Sequence, residues 1–369
     1  MAFVSLKTAL FRNLCDAQVD IQGKNVFLIG KNGQGKTNFL EALYYASYAS
    51  SFRGVRDSEL VRVGEKNCSV TVTLEGPLNN EVTILYKDKK KQIILDNKQI
   101  GDRKELLSVA PCIIFCHEDM EFVSGSPERR RWFFDQSQSL WDQLYLDDLR
   151  NYRRVLKTRN NLLRSSLNKK DVSGANSEII ALLDALDPQL IAYGYELIKK
   201  RKVEAETFSR IFGPLYYQIS GLDDISIRYA PSWKEDNPEY MAEELLKRRE
   251  QDFSFGLSLS GPHRDRYIFT RKGREFTANA STGQRRLLAL LLRIAQAHVF
   301  FEKTGKNPVL LLDDVLLELD GEKRQKFFSL MPDYDQGIFT FLPEEPYEHY
   351  RKNDTIIYHV NEGTFQRIS

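Results

Sequence analysis

Apolar residues fall in distinct rhythms along this chain. Asn25–Ile29 (N-V-F-L-I), Cys112–Cys116 (C-I-I-F-C) and Val309–Leu312 (V-L-L-L) are short unbroken apolar runs bounded by polar residues, the pattern of buried strands. Cys68–Leu74, Val82–Tyr86 and Gln92–Leu95 alternate apolar and polar residues and predict further strands, as do Ile225–Tyr229 and Arg266–Thr270. Between these blocks the period changes. Trp141–Leu167 and Ile179–Phe208 are long, charged and helical.

Tyr145, Leu149, Tyr152, Leu156 and Leu163 form an apolar seam, with Arg159 standing where one more apolar residue is due. A second seam runs through Ile179, Leu183, Leu186, Leu190, Tyr193 and Leu197. Asp187-Pro188 predicts a helix break there, with Asp187 as cap and Pro188 opening the next helix. The two helices would pack as an antiparallel arm whose tip is the polar stretch Asn168–Ser177. Pro231–Gln251 and Gln284–Phe300 also read as helices, and short strands follow Val309–Leu312.

Composition narrows the classes. The chain has 369 residues, enough for two structural units, and 42% hydrophobic residues, ordinary for a globular protein. A net charge of +2 implies no global field that draws in nucleic acid, so any basic surface is local. No apolar run approaches the ~20 residues of a membrane helix, and Met1–Lys7 lacks an export-signal layout. Cys15, Cys68, Cys112 and Cys116 read as reduced, buried thiols of a cytoplasmic protein. Cys112 and Cys116 lack a second ligand pair, which favours core packing over a metal site.

One stretch carries specific chemistry. Gly30-Lys31-Asn32-Gly33-Gln34-Gly35-Lys36-Thr37 fits G-x-x-x-x-G-K-[ST] and lies between the Asn25–Ile29 strand and a helical run beginning at Asn38. In that setting the loop N–H groups cradle phosphates. Lys36 reaches the β- and γ-phosphates, and the Thr37 hydroxyl holds Mg²⁺. A chance glycine-rich turn would not have the strand and helix on either side. Val309–Leu312 ends in Asp313-Asp314: the first acid supports Mg²⁺ and the second polarises an attacking water. Ser281-Thr282-Gly283-Gln284 precedes a helix and is a candidate anion-binding turn.

The phosphate loop, the Ser–x–Gly–Gln turn and the strand with paired acids, in this order, resemble an ABC-type ATPase head. The long segment between residues 37 and 281 points to the SMC/Rad50-like branch and away from a transporter subunit. Within that branch the chain resembles the RecF family of DNA replication and repair proteins, along nearly its whole length. Phe11-Arg12-Asn13, Asn38–Ala42, Ser51-Phe52-Arg53, Ser126–Arg131, Ser260–Asp265 and Leu310–Asp320 carry the resemblance. Thr282, Cys116-His117 and Arg266 depart from the usual pattern, and none of these departures removes a phosphate or metal ligand.

The resemblance implies an α/β P-loop NTPase head of the ABC type, built from residues 1–121 and 219–369, with a helical arm inserted over 122–218. It implies a homodimer that forms with ATP and Mg²⁺. The loop, Asn38 and Arg12 bind the nucleotide of one subunit, and Ser281, Thr282, Gly283 and Gln284 of the other close on the γ-phosphate. Glu118 falls where this superfamily senses the metal. Asp314 with Lys36 would carry slow, DNA-stimulated hydrolysis of ATP to ADP and phosphate; the short acid, and no histidine beside Thr340, suggest the low rate. DNA at single-strand gaps and duplex junctions, RecR and RecO are the implied partners.

The arm is basic. Arg150, Arg153, Arg154, Lys157, Arg159, Arg164, Lys169 and Lys170 occur without one acid between residues 150 and 170. The first five are candidate DNA contacts, although a solvated helix face neutralised by neighbours has the same composition. Arg53 is a further DNA candidate, and with Arg12 it resembles the nucleotide- or DNA-facing arginines of SMC-type heads, a surface arginine being the alternative. Arg129-Arg130-Arg131 fits a phosphate contact or a structural cluster equally well. His263, with no nucleophile beside it, is expected to make a structural hydrogen bond. Two other classes compete: a transporter-type or different SMC/Rad50-like ATPase subunit, and a binding module that nucleotide only stabilises.

Overall fold

The computed structural model describes residues 2–76, 80–167, 173–315 and 321–368, and of residues 167 and 173–176 the backbone alone. The chain divides into two compact units, residues 1–119 with 289–369, and residues 120–288.

In the first unit, β1 (Phe3–Ala9), β2 (Ala17–Asp20) and β3 (Asn25–Ile29) lead to α1 (Lys36–Tyr48). Then come β4 (Cys68–Leu74), β5 (Glu81–Lys87), β6 (Lys90–Leu95), β7 (Lys98–Ile100), α2 (Lys104–Val109) and β8 (Cys112–Phe115). The second unit holds α3 (Glu121–Ser124), α4 (Pro127–Ser139), α5 (Gln143–Leu167), α6 (Ser173–Ser220), β9 (Ile225–Ala230), α7 (Pro238–Phe255), β10 (Arg266–Arg271) and β11 (Arg274–Glu275). The helix α8 (Thr282–Thr304) starts in the second unit and ends in the first, which closes with β12 (Val309–Leu312), α9 (Gly321–Leu330), β13 (Gln336–Phe341), β14 (Thr355–Asn361) and β15 (Thr364–Arg367).

The first unit has two sheets. The order β15-β14-β3-β13-β12-β8 is parallel except for β15. Its strands β3, β8 and β12 are buried at every position, which is why they read as unbroken apolar runs. The order β2-β1-β4-β5-β6-β7 is antiparallel, and β4 alternates buried and half-buried residues as its sequence does. Gln336, fully buried at the start of β13, ties the two sheets. Its Nε2 donates to the carbonyls of Phe3, Ile21 and Gly23 at 3.0, 2.7 and 3.0 Å, and its Oε1 accepts the Phe3 N–H at 2.8 Å.

In the second unit the two seams meet as expected. Tyr145, Leu149 and Tyr152 of α5 pack with Leu190 and Leu197 of α6 and with Trp233, Met241 and Leu245, while Leu163 meets Ile179 and Leu183. Four expectations are corrected. The helix does not break at Asp187-Pro188: α6 continues through Pro188 to Ser220. Asp187 is no cap but accepts from Arg159 and Arg249 at 2.8 and 2.9 Å, and these ion pairs together with the seam outweigh the lost backbone bond. Residues 219–288 fall in the helical unit because β9 pairs with β10 and packs on α6. Cys15 is exposed, whereas the other three thiols are buried and burial pushes Cys112 up to about 12. The helix expected at Pro231–Gln251 starts later, at Pro238, where Asn237 Oδ1 accepts the Tyr240 N–H at 2.6 Å. Residues 168–172 of the expected tip, including Lys169 and Lys170, lie outside the described residues, and Ser173 already belongs to α6. No described helix is long and apolar enough to cross a membrane.

Two buried polar side chains generate predictions. Arg159 is fully buried and donates to Asp187 at 2.8 Å, Asp252 at 2.7 Å and Ser258 Oγ at 2.8 Å. Arg159→Ala leaves Asp252 buried without its ion-pair partner and Asp187 with Arg249 alone, and urea unfolding is expected to show a loss of about 3 kcal/mol or more. His263 Nε2 donates to the Ser258 carbonyl at 2.9 Å, so Nδ1 accepts from the Tyr152 hydroxyl at 2.8 Å. This is the structural role expected of it. Burial pushes the imidazole down to about 4. The folded state therefore binds fewer protons than the unfolded state between pH 4 and 6.5, and stability falls as pH drops through that window. Wild type is expected to lose up to about 3 kcal/mol more than His263→Gln between pH 7 and pH 4.

Candidate functional site

The loop Gly30–Thr37 leaves the end of β3 and enters α1. A Cβ at Gly30 would lie 2.4 Å from the Val360 carbonyl oxygen of the neighbouring strand, so only glycine fits there. Gly35 caps α1 at φ +115° with no side-chain hydrogen bond, which leaves the first N–H groups of the helix open to an anion. Gln34 stays in the loop with its backbone but turns its side chain to the turn between β14 and β15. Its Oε1 accepts the Glu362 N–H at 2.7 Å and its carbonyl accepts the Gly363 N–H at 2.9 Å. The Gly363 carbonyl in turn accepts the Cys15 N–H at 3.0 Å. This hairpin turn buttresses the loop from outside.

Lys36 is buried, and its Nζ donates to the Gly30 carbonyl at 2.6 Å and lies 3.9 Å from Asp314 Oδ2. Thr37 Oγ1 donates to Asp313 Oδ1 at 2.8 Å. Burial drives the Asp313 carboxyl up to about 7; the Thr37 bond opposes this, while the charges of Asp314 and Glu118 add to it. A buried carboxylate crowded by like charge, with a hydroxyl beside it, is a donor set suited to Mg²⁺, which takes hard oxygens from one or two carboxylates and substrate phosphates. Among the described residues no group of three or more His, Cys, Asp and Glu forms a closed metal cage. A cavity of about 280 Å³ lies here, lined by Lys36, Thr37, Asn38, Arg53, Asp314 and the loop around Lys31 and Asn32.

Three residues outside the expected set organise this cavity. Glu41, fully buried in α1, accepts from Arg12 at 3.0 and 3.2 Å and from Ser51 at 2.5 Å, and Arg53 lies 3.5 Å away. Arg53 also donates to Asn38 at 3.1 Å, Asn38 to Asn13 at 2.7 Å, and Asn13 to the Gly33 carbonyl at 3.0 Å. A chain of hydrogen bonds thus runs from Glu41 to the loop. It draws Arg53 to the wall of the cavity, on the nucleotide side of the two roles, nucleotide or DNA, that its motif leaves open. Thr340, at the end of β13, bonds Asp314 through both backbone and side chain. Glu41 and Asn13 stood inside the motifs already quoted, yet nothing in their spacing reveals these partners.

Glu118 is exposed in a 3₁₀ turn after β8. Its neighbour Asp119 is the buried acid, held by Arg293 at 2.7 and 3.0 Å and by the Cys116 N–H at 3.0 Å.

The second unit carries the Ser281–Gln284 turn. Ser281 Oγ accepts the Gln284 N–H at 3.2 Å while Gln284 Oε1 accepts the Ser281 N–H at 2.8 Å, a reciprocal capping box at the start of α8. Ser281, Thr282 and Gly283 are exposed, and nothing lies within 4 Å of a Cβ placed at Gly283. Of the arm cations, Arg153, Arg154 and Lys157 are exposed and Arg150 is half-buried. Arg159 is the correction: its guanidinium is sealed among Asp187, Asp252 and Ser258 and is removed from any DNA surface. Arg130 is also internal, donating to the carbonyls of Phe122, Tyr267 and Val123 at 2.9, 2.8 and 2.9 Å, and Arg131 donates to the Asp265 carbonyl at 2.7 Å.

The hairpin buttress generates a prediction. Gly363 has φ +78°, and a Cβ there would lie 2.0 Å from the Asn13 carbonyl oxygen. Gly363→Ala is expected to cost about 2 kcal/mol or more in thermal or urea unfolding, and to weaken binding of a fluorescent nucleotide as the loop loses its support.

Residues 3–364 match the model of the RecF/RecN/SMC N terminal domain. The chain is 44% identical over 355 residues to the DNA replication and repair protein RecF of Treponema pallidum (strain Nichols), covering 96% of this chain and 97% of the relative. Among solved structures it is similar to the recombination mediator protein RecF-ATP of the RecFOR pathway, with TM-score 0.88, 27% identity, and coverage of 100% of this chain and 97% of that one. An Smc head bound to the C-terminal winged-helix domain of ScpA shares the fold at TM-score 0.55 and 16% identity, covering 99% of this chain and 96% of that one. The fold is thus that of an ABC-type ATPase head, and the chain belongs to the RecF family of DNA replication and repair proteins.

Proposed function

We propose that this chain is a DNA-binding ATPase of recombinational repair and replication-fork maintenance that dimerises on ATP and hydrolyses it slowly. The observation that carries the reading is the meeting of Lys36, Thr37, Asp313 and Asp314 at an uncapped helix N-terminus. The solved RecF relative described with ATP supports the choice of nucleotide.

In this reading the open N–H groups of α1 and the Lys36 ammonium bind the triphosphate, which takes Lys36 away from the Gly30 carbonyl. Thr37 and Asp313 would hold Mg²⁺, which when bound neutralises charge on the β- and γ-phosphates. Asp314 orients the attacking water. Arg12 and Arg53, already placed by Glu41, add positive charge at the cavity rim, and Glu118 faces the metal side. Ser281, Thr282, Gly283 and Gln284 of a second copy close on the γ-phosphate, with the N–H groups of Thr282 and Gly283 and the Ser281 hydroxyl as donors, so hydrolysis removes the group that joins the copies. The exposed cations Arg153, Arg154 and Lys157, with the half-buried Arg150, contact the DNA backbone at single-strand gaps and duplex junctions. RecR and RecO are the partners this role implies, and the cytoplasm the compartment.

Sedimentation and DNA retention with and without ATP test the reading. Wild type is expected to dimerise and retain DNA with ATP. Lys36→Ala removes a charge-assisted contact and should weaken nucleotide binding roughly tenfold or more. Ser281→Arg should bind nucleotide yet fail to dimerise, with a melting curve showing that the loss of its cap has not unfolded the chain. Normal dimerisation of Ser281→Arg would overturn the clamp.

A further inference from the structure

The strand β13 lies between β3 and β12 in the parallel sheet, so its end lies between the phosphate-binding loop and the paired acids. Thr340 occupies that end, 2% exposed in a strand buried at every position. Its Oγ1 accepts the Asp314 N–H at 2.7 Å and lies 2.7 Å from Asp314 Oδ1, whereas the Leu312 carbonyl and Asp313 Oδ1 are 3.4 and 3.5 Å away. A hydroxyl has one proton, and the shortest of these acceptors takes it. Thr340 therefore grips Asp314 at two points. One holds the backbone of a residue at φ +50°, a left-handed conformation uncommon outside glycine, asparagine and aspartate. The other occupies Oδ1, leaving Oδ2 as the oxygen that faces Lys36, at 3.9 Å.

We propose that Thr340 is a positioning residue for ATP hydrolysis, which fixes the rotamer of Asp314 so that Oδ2 alone orients the attacking water; this rests on the reading of Asp314 given above. A shorter acid than glutamate has less reach, so its placement depends more on a second group that holds it. An isosteric valine would keep the packing of β13 and release both grips. The orphaned Asp314 N–H and a freely turning carboxylate would then leave the nucleotide bound but the water misaligned. Misplacement of a reacting group by an ångström costs up to about a hundredfold in rate.

The experiment compares wild type, Thr340→Val, Thr340→Ser, Asp314→Asn and the Thr340→Val/Asp314→Asn double variant. Single-turnover ATP hydrolysis and fluorescent-nucleotide affinity are measured, and melting curves report folding. The expected result is a fall of roughly tenfold or more in the hydrolysis rate of Thr340→Val at nearly unchanged nucleotide affinity, recovered in large part by Thr340→Ser. The double variant should hydrolyse no more slowly than Asp314→Asn, because residues that act as one unit are not additive. A rate for Thr340→Val equal to wild type, a fall explained by weakened nucleotide binding, or a further fall in the double variant would overturn the role of Thr340 and leave the proposed ATPase standing. If Thr340→Val does not fold, Thr340→Ser and Thr340→Ala carry the test, and equal rates in the two overturn the role. Wild type and Asp314→Asn consuming ATP equally would overturn the assignment of Asp314 itself, and this proposal with it.

Discussion

Thr37 and Asp313 are 276 positions apart in the chain, and one hydrogen bond of 2.8 Å joins them. That bond exists only because β3 and β12 run parallel in one sheet with β13 between them, so their carboxyl ends open onto the same side. The helix N-terminus, the buried lysine and the two acids all depend on this shared edge. Misregister β13 by one residue, and Thr340 turns to the opposite face of the sheet, losing Asp314. Gln336 guards against such a slip from the other end of the strand, spending its whole amide on three carbonyls and one N–H.

The helical unit follows a different economy. It buries Arg159 and Arg201 among carboxylates; Arg201 donates to Asp135 at 2.8 Å, to Asp265 at 2.9 Å and to the Pro262 carbonyl at 2.8 Å. Such pairs add little net stability relative to apolar packing, yet breaking one is severe, because the abandoned charge stays buried. Arg159 joins α5 to α6 through Asp187, while Arg201 ties α6 to α4 through Asp135. Asp187 shows the consequence: it sits before a proline and still lies within one continuous helix, because two arginines claim its carboxylate.

Local features were legible where a short window carried its own physics. The unbroken runs at Asn25–Ile29 and Val309–Leu312 became central parallel strands, and the α5 and α6 seams met as drawn. Charge was read less well. Arg159 looked like one more cation of a basic stripe, since its acids, Asp187 and Asp252, come from other elements. Arg53 and Arg12 carried no sign of the buried Glu41 that orients them, and Thr340 none of its hold on Asp314.

The amino-acid sequence by itself determined which chemistry is present: a phosphate loop between strand and helix, an acid pair closing a buried strand, a capped turn and a family. These are short-range patterns, set by backbone preferences within a few residues. Only the tertiary structure decided which groups face one another. It turned Gln34 outward to the hairpin, sealed Arg159 inside, and set Thr340 against Asp314. The physical reason is that such partners are chosen by strand order and burial, which bring together residues that no local pattern links.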